Sequence, residues 1–221
     1  MSEAFVTICR RHRLVPVVVI DNANQALALG QALVAGGLPL LEVTLRTPAG
    51  LAAIAALAEA SDQVGGPDLL VGAGTVLTES QVDLAVSAGA NFIVTPGWSP
   101  PVVARCLELK VSVLPGVATA GEIMAAAAMG IDLVKWFPAA QLGGPAGLAA
   151  IASVFGEMSF VPTGGVGPSN LAEYLAMPPV AALGGSWMVP RQAIAQGDFS
   201  GIEQLVRQAV NAVKAVEGER R

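Results

Sequence analysis

Lys135 stands inside the run Leu133-Val134-Lys135-Trp136-Phe137-Pro138, an apolar stretch that predicts a buried β-strand. A charged amine in such a place costs several kcal/mol unless it is paired; the alternative is a neutral amine. A neutral amine in an apolar pocket is a nucleophile toward carbonyls, the reagent of Schiff-base chemistry. The competing reading is a structural lysine that snorkels to the strand end or pairs with a carboxylate. The chain has only two other lysines: Lys110 ends an amphipathic stretch where it can reach solvent, and Lys214 lies in the polar-apolar mixture of the C-terminal helix. Glu42, Thr44 and Arg46 fall at i, i+2 and i+4 of a second apolar run, so they share one face of a strand. A carboxylate there is either a structural salt bridge or a proton shuttle. Glu42 beside Lys135 would suit imine chemistry, the amine attacking and the carboxylate moving protons.

Other chemistries lack their parts. His12 is the single histidine and it precedes the first strand, so zinc sites and Ser-His or Cys-His nucleophiles are not indicated. No metal site and no cofactor is expected. Cys9 and Cys106 are isolated thiols with no CxxC, which fits a reducing cytoplasm. The net charge is −5 with no basic cluster beyond Arg10 to Arg13, so nucleic acid is not an expected partner. No long charge-free apolar run predicts a membrane span, and no signal-peptide core follows the basic N-terminal group. Hydrophobic residues make up 53% and charged residues 13% of the chain, which suits a large core and a buried subunit interface.

Positioning these groups requires a scaffold. Strands are predicted near Val15–Ile20, Pro39–Leu45, Leu69–Thr75, Phe92–Thr95, Val111–Pro115, Leu133–Phe137, Phe160–Thr163 and Ala181–Leu183, at the spacing of βα units. Several are apolar on successive residues, as in parallel strands covered by helices. Helix starts are marked by Asn22, Thr47-Pro48, Thr78 to Gln81, Ser99-Pro100 and Thr119 to Glu122, and helix ends by Gly36-Gly37, Gly89 and Gly130. With no linker in sight, residues 1–221 are expected to form one α/β domain: a single closed (β/α)8 TIM barrel with a short N-terminal helix. A doubly wound open sheet is the alternative. In a barrel, function lies at the C-terminal strand ends, where Glu42, Arg46, Thr75, Lys135 and Thr163 fall. Pro162-Thr163-Gly164-Gly165 closes the seventh strand and Gly184-Gly185-Ser186 follows the eighth, a pairing that suits phosphate. Gly72-Ala73-Gly74-Thr75 lacks a dinucleotide unit around it and predicts close backbone packing that presents the Thr75 hydroxyl.

Taken together, the blocks Leu41-Glu42-Val43-Thr44-Leu45-Arg46-Thr47, Val71-Gly72-Ala73-Gly74-Thr75-Val76-Leu77, Val94-Thr95-Pro96-Gly97, Val134-Lys135-Trp136-Phe137-Pro138-Ala139, Val161-Pro162-Thr163-Gly164-Gly165 and Gly184-Gly185-Ser186-Trp187 resemble the bacterial 2-keto-3-deoxy-6-phosphogluconate (KDPG) aldolases. That family includes bifunctional members that also cleave 4-hydroxy-2-oxoglutarate (KHG). The resemblance implies a metal-independent class I aldolase of the Entner-Doudoroff pathway, a cytoplasmic homotrimer acting on a phosphorylated 2-keto-3-deoxy sugar acid. It implies that Lys135 is the Schiff-base lysine and Glu42 the general acid–base. Arg46 and Thr75 would hold the pyruvyl carboxylate, and Pro96 and Phe137 would shape the pocket. Thr163, Gly164, Gly165, Gly185 and Ser186 would take the phosphate. Trp136 departs from the Phe that often follows the lysine in the family; by strand alternation it should face away from the lumen. Asp21 stands where the family often has Lys or a second acid, and a helix-cap or first-turn role is the simple expectation. The rival readings are an aldolase for the galactonate epimer or for an unphosphorylated 4-hydroxy-2-oxo acid, a phosphosugar isomerase without an imine, and a non-catalytic phosphosugar sensor.

Overall fold

The computed structural model describes residues 3–60, 64 and 69–218, with side chains from residue 5 onward. Alternation along each strand sorts the side chains into two apolar clusters. One face sends Leu41, Val43, Val71, Ile93, Val113, Val134 and Phe160 outward against helices. The other sends Val15, Leu40, Phe92, Val94, Leu114, Leu133 and Val161 inward, against one another.

The chain begins with α1 (Glu3–His12), whose Arg10, Arg11 and His12 sit in the last turn, where the helix dipole favours positive charge. Phe5 and Cys9, one turn apart, are fully buried in the inner cluster, and the Phe5 ring stacks on Phe92 at 4.3 Å between centroids. Helix α1 therefore plugs the N-terminal end of the strand assembly. The strands and helices then alternate: β1 (Leu14–Val18), α2 (Ala26–Ala35), β2 (Leu40–Thr44), α3 (Gly50–Glu59), β3 (Leu70–Gly74), α4 (Glu79–Ser87), β4 (Phe92–Val94), α5 (Pro100–Glu108) and β5 (Ser112–Leu114). They continue through β6 (Gly116–Val117), α6 (Ala120–Ala128), β7 (Leu133–Trp136), α7 (Gly144–Ala152), β8 (Ser159–Pro162), α8 (Leu171–Leu175), β9 (Leu183–Gly185), α9 (Arg191–Gln196) and α10 (Phe199–Gly218). No helix of the described residues is long and apolar enough to cross a membrane.

The expected closed eight-stranded TIM barrel is corrected here. The parallel strands form two sheets, one of six strands in the order β5-β4-β3-β2-β1-β9 and one of three in the order β6-β7-β8. The break between β5 and β6 falls at Pro115, which has no N–H to donate to a ladder. On the other side, the described residues join β8 to β9 and the segment before it by two isolated bridges, Thr163–Gly184 and Phe160–Val180. Among the described residues no continuous hydrogen-bonded ladder joins the two sheets.

Local signals fared unevenly. Thr119 and Glu122 form the full capping box of α6. Thr78 caps α4 by accepting from the Gln81 N–H, while the Gln81 side chain takes the Leu77 N–H rather than that of Thr78. Ser99 stands at the N-cap of α5 without a side-chain bond. Thr47-Pro48 does not open α3, because the Thr47 hydroxyl donates to the Ile20 carbonyl and the helix starts at Gly50. Gly37, Gly89 and Gly130 take the left-handed conformation just past α2, α4 and α6.

Candidate active site

Strands β2 and β7 belong to different sheets, yet their inward faces bring two charges together. Glu42 pairs in register with Val17 of β1 and Gly72 of β3. Lys135 pairs with Gly116 and Val161. The Lys135 Nζ lies 3.3 Å from Glu42 Oε1 and 3.5 Å from Oε2. Both residues are buried, Glu42 at 2% and Lys135 at 6% exposure, and both lie near the C-terminal ends of their strands. Removing one partner of such a pair leaves a buried charge uncompensated, at a cost of roughly 3–5 kcal/mol.

The neighbouring residues hold this pair in place. Gly74 is required by the carboxylate: a Cβ there would stand 2.1 Å from Glu42 Oε1. Gly72 is likewise filled by the Phe92 ring. The Gly72-Ala73-Gly74 block is thus close packing, as its sequence implied. Thr75 follows at φ 58°, an unusual left-handed conformation for a β-branched residue, at the lip of β3. Thr44 donates to the Val18 carbonyl at 2.8 Å, tying the end of β2 to β1.

Phe137 puts its ring 5.4 Å from Lys135 Nζ, within cation–π range. The same ring lies about van der Waals distance from Gly164, where a Cβ would come to 3.2 Å. Phe137 therefore spans from the amine to the glycine loop after β8. Trp136, as alternation demands, is buried in the outer cluster. Pro96 is fixed from below: the Thr95 hydroxyl donates to Gly97 O and accepts from Gly116 N. Gly116 is in turn packed on the Pro96 backbone, too close for any side chain.

The glycine loops also converge. Gly164 and Gly165 take φ +92° and +76°, a succession open to glycine at little cost. Thr163 is buried and lies against Gly184, where a Cβ would fall 2.1 Å from its hydroxyl. Sequence reasoning missed Asn170, whose side chain donates to Gly165 O and accepts from Gly167 N, tying down the loop. An Asn a few residues after a Gly pair was the available signal.

Arg46 and Ser186 line one cavity of about 250 Å³ with Val17, Val19, Val189, Pro190 and Arg191. Among the described residues Arg46 makes no ion pair, so its guanidinium is open to an anion. Thr75 and Pro96 are not among the lining residues of this cavity. Arg191 is a second residue the sequence did not single out. Asp21 proves to be its partner rather than a helix cap; the cap of the short 3-10 turn Ala23–Gln25 is Asn22. The hydrogen bonds from Arg191 hold the Asp21 carboxyl below the usual carboxylate range.

In chemical terms, the strands hold a buried amine against a carboxylate, while Arg46 and Ser186 line a separate cavity that neither Lys135 nor Glu42 lines. Residues 5–205 match the family model for aldolases described as KDPG and KHG aldolase. A 2-dehydro-3-deoxy-phosphogluconate aldolase of Treponema pallidum is 48% identical over 203 residues, covering 92% of this chain and 94% of its own length. A KDPG aldolase from Legionella pneumophila, with pyruvate captured at low pH as a covalent carbinolamine intermediate, has a similar structure. Its TM-score is 0.87 at 40% identity, with 92% of this chain and 97% of that chain covered. The 2-keto-3-deoxy-6-phosphogluconate aldolase of Zymomonas mobilis ZM4 with 3-phosphoglycerate gives a TM-score of 0.86 at 39% identity, covering 95% of each.

Proposed function

The chain belongs to the KDPG and KHG aldolase family, and on that premise we propose that Lys135 is its Schiff-base lysine and Glu42 its proton shuttle. It is a carbon–carbon lyase that cleaves 2-dehydro-3-deoxy-6-phosphogluconate to pyruvate and glyceraldehyde 3-phosphate. The observation that carries the assignment of residues is the buried contact of 3.3 Å between Lys135 Nζ and Glu42.

At that distance Glu42 can accept the ammonium proton that must leave before the amine attacks. Lys135 Nζ then adds to the C2 ketone, Glu42 returns its proton to the carbinolamine hydroxyl, and loss of water gives an iminium ion and restores the carboxylate. Glu42 removes the C4 hydroxyl proton, through a water where the geometry requires it. The C3–C4 electron pair moves into the iminium, and the aldehyde departs. Protonation of the resulting enamine at C3 and hydrolysis of the imine release pyruvate and restore the amine. Arg46, with Thr75, holds the pyruvyl carboxylate by a two-point grip that a lysine could not supply. Pro96 and Phe137 wall the pocket. Thr163, Gly164, Gly165, Gly185 and Ser186 take the phosphate, a role supported by the left-handed glycines and the cavity that Ser186 shares with Arg46.

The same site serves 4-hydroxy-2-oxoglutarate, which needs the imine but no phosphate. Residues 1–221 act as one domain, a reading supported by a family match that runs from residue 5 to 205. The working form is a cytoplasmic homotrimer; exposed Leu77 in the loop before α4, Leu84 on α4 and Met124 on α6 are apolar surface that a subunit interface would cover. The test is turnover of both C4 epimers of the phosphorylated substrate, followed by pyruvate release. Faster cleavage of the gluconate epimer is expected, and release of pyruvate from neither would contradict the reading.

A further inference from the structure

Arg191 lines the cavity that also contains Arg46 and Ser186, and it is paired with Asp21. Arg191 Nε donates to Asp21 Oδ2 at 2.8 Å and its Nη2 donates to Oδ1 at 2.7 Å. A guanidinium has five N–H groups in a rigid plane, and this grip uses one edge of it. The remaining edge is fixed in direction by the grip. The rest of the lining near it, Val17, Val19, Val189 and Pro190, is apolar and brings no side-chain acceptor. Two guanidiniums and a single carboxylate leave the cavity with a surplus positive charge. The Ser186 hydroxyl adds a neutral donor beside them.

We propose that Arg191, oriented by Asp21, is a specificity-determining residue that binds the phosphate of the substrate and so favours phosphorylated over unphosphorylated keto acids. The inference rests on the aldolase reading above and adds to it a cation that the glycine loops do not supply. A phosphate presents several acceptor oxygens and a charge approaching −2 near neutral pH, which suits the free edge of a guanidinium. The 4-hydroxy-2-oxoglutarate chain ends in a carboxylate closer to the keto carbon and cannot reach the rim in the same way. Asp21 acts as a positioning residue: it spends one edge of Arg191 and aims the other.

The experiment is steady-state kinetics of Arg191→Gln, Arg191→Lys and Asp21→Ala on the phosphorylated substrate and on 4-hydroxy-2-oxoglutarate, with calorimetric titration of inorganic phosphate. The side chains at both positions are largely solvent-exposed (58% and 45%), so the substitutions should not disturb the core. For Arg191→Gln, KM for the phosphorylated substrate should rise by about tenfold or more with kcat little changed. The preference for that substrate over 4-hydroxy-2-oxoglutarate should fall by the same factor. Arg191→Lys should recover part of the loss, and Asp21→Ala should show a smaller rise in KM with kcat held. Equal losses on both substrates, or no loss on either, would overturn the proposal. Phosphate binding is read independently: weakening by about tenfold in Arg191→Gln supports the role, and unchanged binding overturns it. Wild-type protein that binds phosphate through Arg191 but cleaves neither substrate would overturn the aldolase reading and leave the phosphate site standing.

Discussion

The two ends of the strand assembly are built from the same strands and the same inward face, yet they do opposite things. At the N-terminal end, Leu40, Phe92, Leu133 and Val161 close on one another and on Phe5 and Cys9 of α1, with no charged side chain among them. Two residues further along β2 and β7 stand Glu42 and Lys135. One period of a strand, about 6.6 Å, separates a stability core from a reactive pair. The apolar floor excludes water and fixes the strands, and the charged layer draws its geometry from that rigidity. Loss of packing below should cost stability with the chemistry spared. Loss of charge above should cost rate, in addition to the stability lost when a buried charge is left without its partner.

The largest effect that would break this contrast is at Lys135. Lys135→Ala should lower turnover by about four orders of magnitude or more, since no other amine lies in the pair. Glu42→Gln keeps the side-chain volume and a polar partner for Lys135, and should lower kcat by about 10²–10⁴-fold with the fold intact by circular dichroism. Phe92→Ala attacks the floor instead. It removes a ring with no exposure that stacks on Phe5, and should cost roughly 3–5 kcal/mol of stability in urea denaturation while kcat at 25 °C stays near the wild-type value. A large fall in kcat for Phe92→Ala in folded protein would dissolve the distinction between floor and site.

The smallest effect sharpens it. Burial pushes the thiols of Cys9 and Cys106 up to about 12 from an ordinary 9.0, so neither is ionised at pH 8 in the folded chain. Both should resist iodoacetamide at pH 8 and react once the protein is unfolded in guanidinium. The linkage has a definite sign: each raised thiol contributes stability that is fully present below pH 9.0 and is lost as pH rises toward about 12. Rapid alkylation of Cys9 in native protein would mean that α1 does not seal the floor.

How much of this was written in the sequence varies with the range of the interaction. Lys135 and Glu42 were legible because a charge in an apolar run violates patterning wherever it occurs, and their separation of 93 residues did not matter to that signal. The helix ends at Gly37, Gly89 and Gly130 were legible because each is set by its own backbone. Closure of the sheet was not, since a ladder depends on the mutual geometry of strands that the pattern of one strand does not encode. Pro115 was counted as the end of a strand, although its missing N–H divides β5 from β6. Thr47 failed as a cap because a distant carbonyl, Ile20 O, claims its hydroxyl. Arg191 was invisible for the same reason: its partner Asp21 lies 170 residues away, and neither residue alone departs from an ordinary surface charge.

The most direct test of the central claim is intact-mass spectrometry after mixing the protein with pyruvate and sodium borohydride, with peptide mapping of the product. A single reduced pyruvyl adduct on the peptide that contains Lys135, absent in Lys135→Ala, is the predicted result. An unmodified folded protein, or an adduct on Lys110 or Lys214, would contradict the assignment of Lys135 as the imine-forming residue.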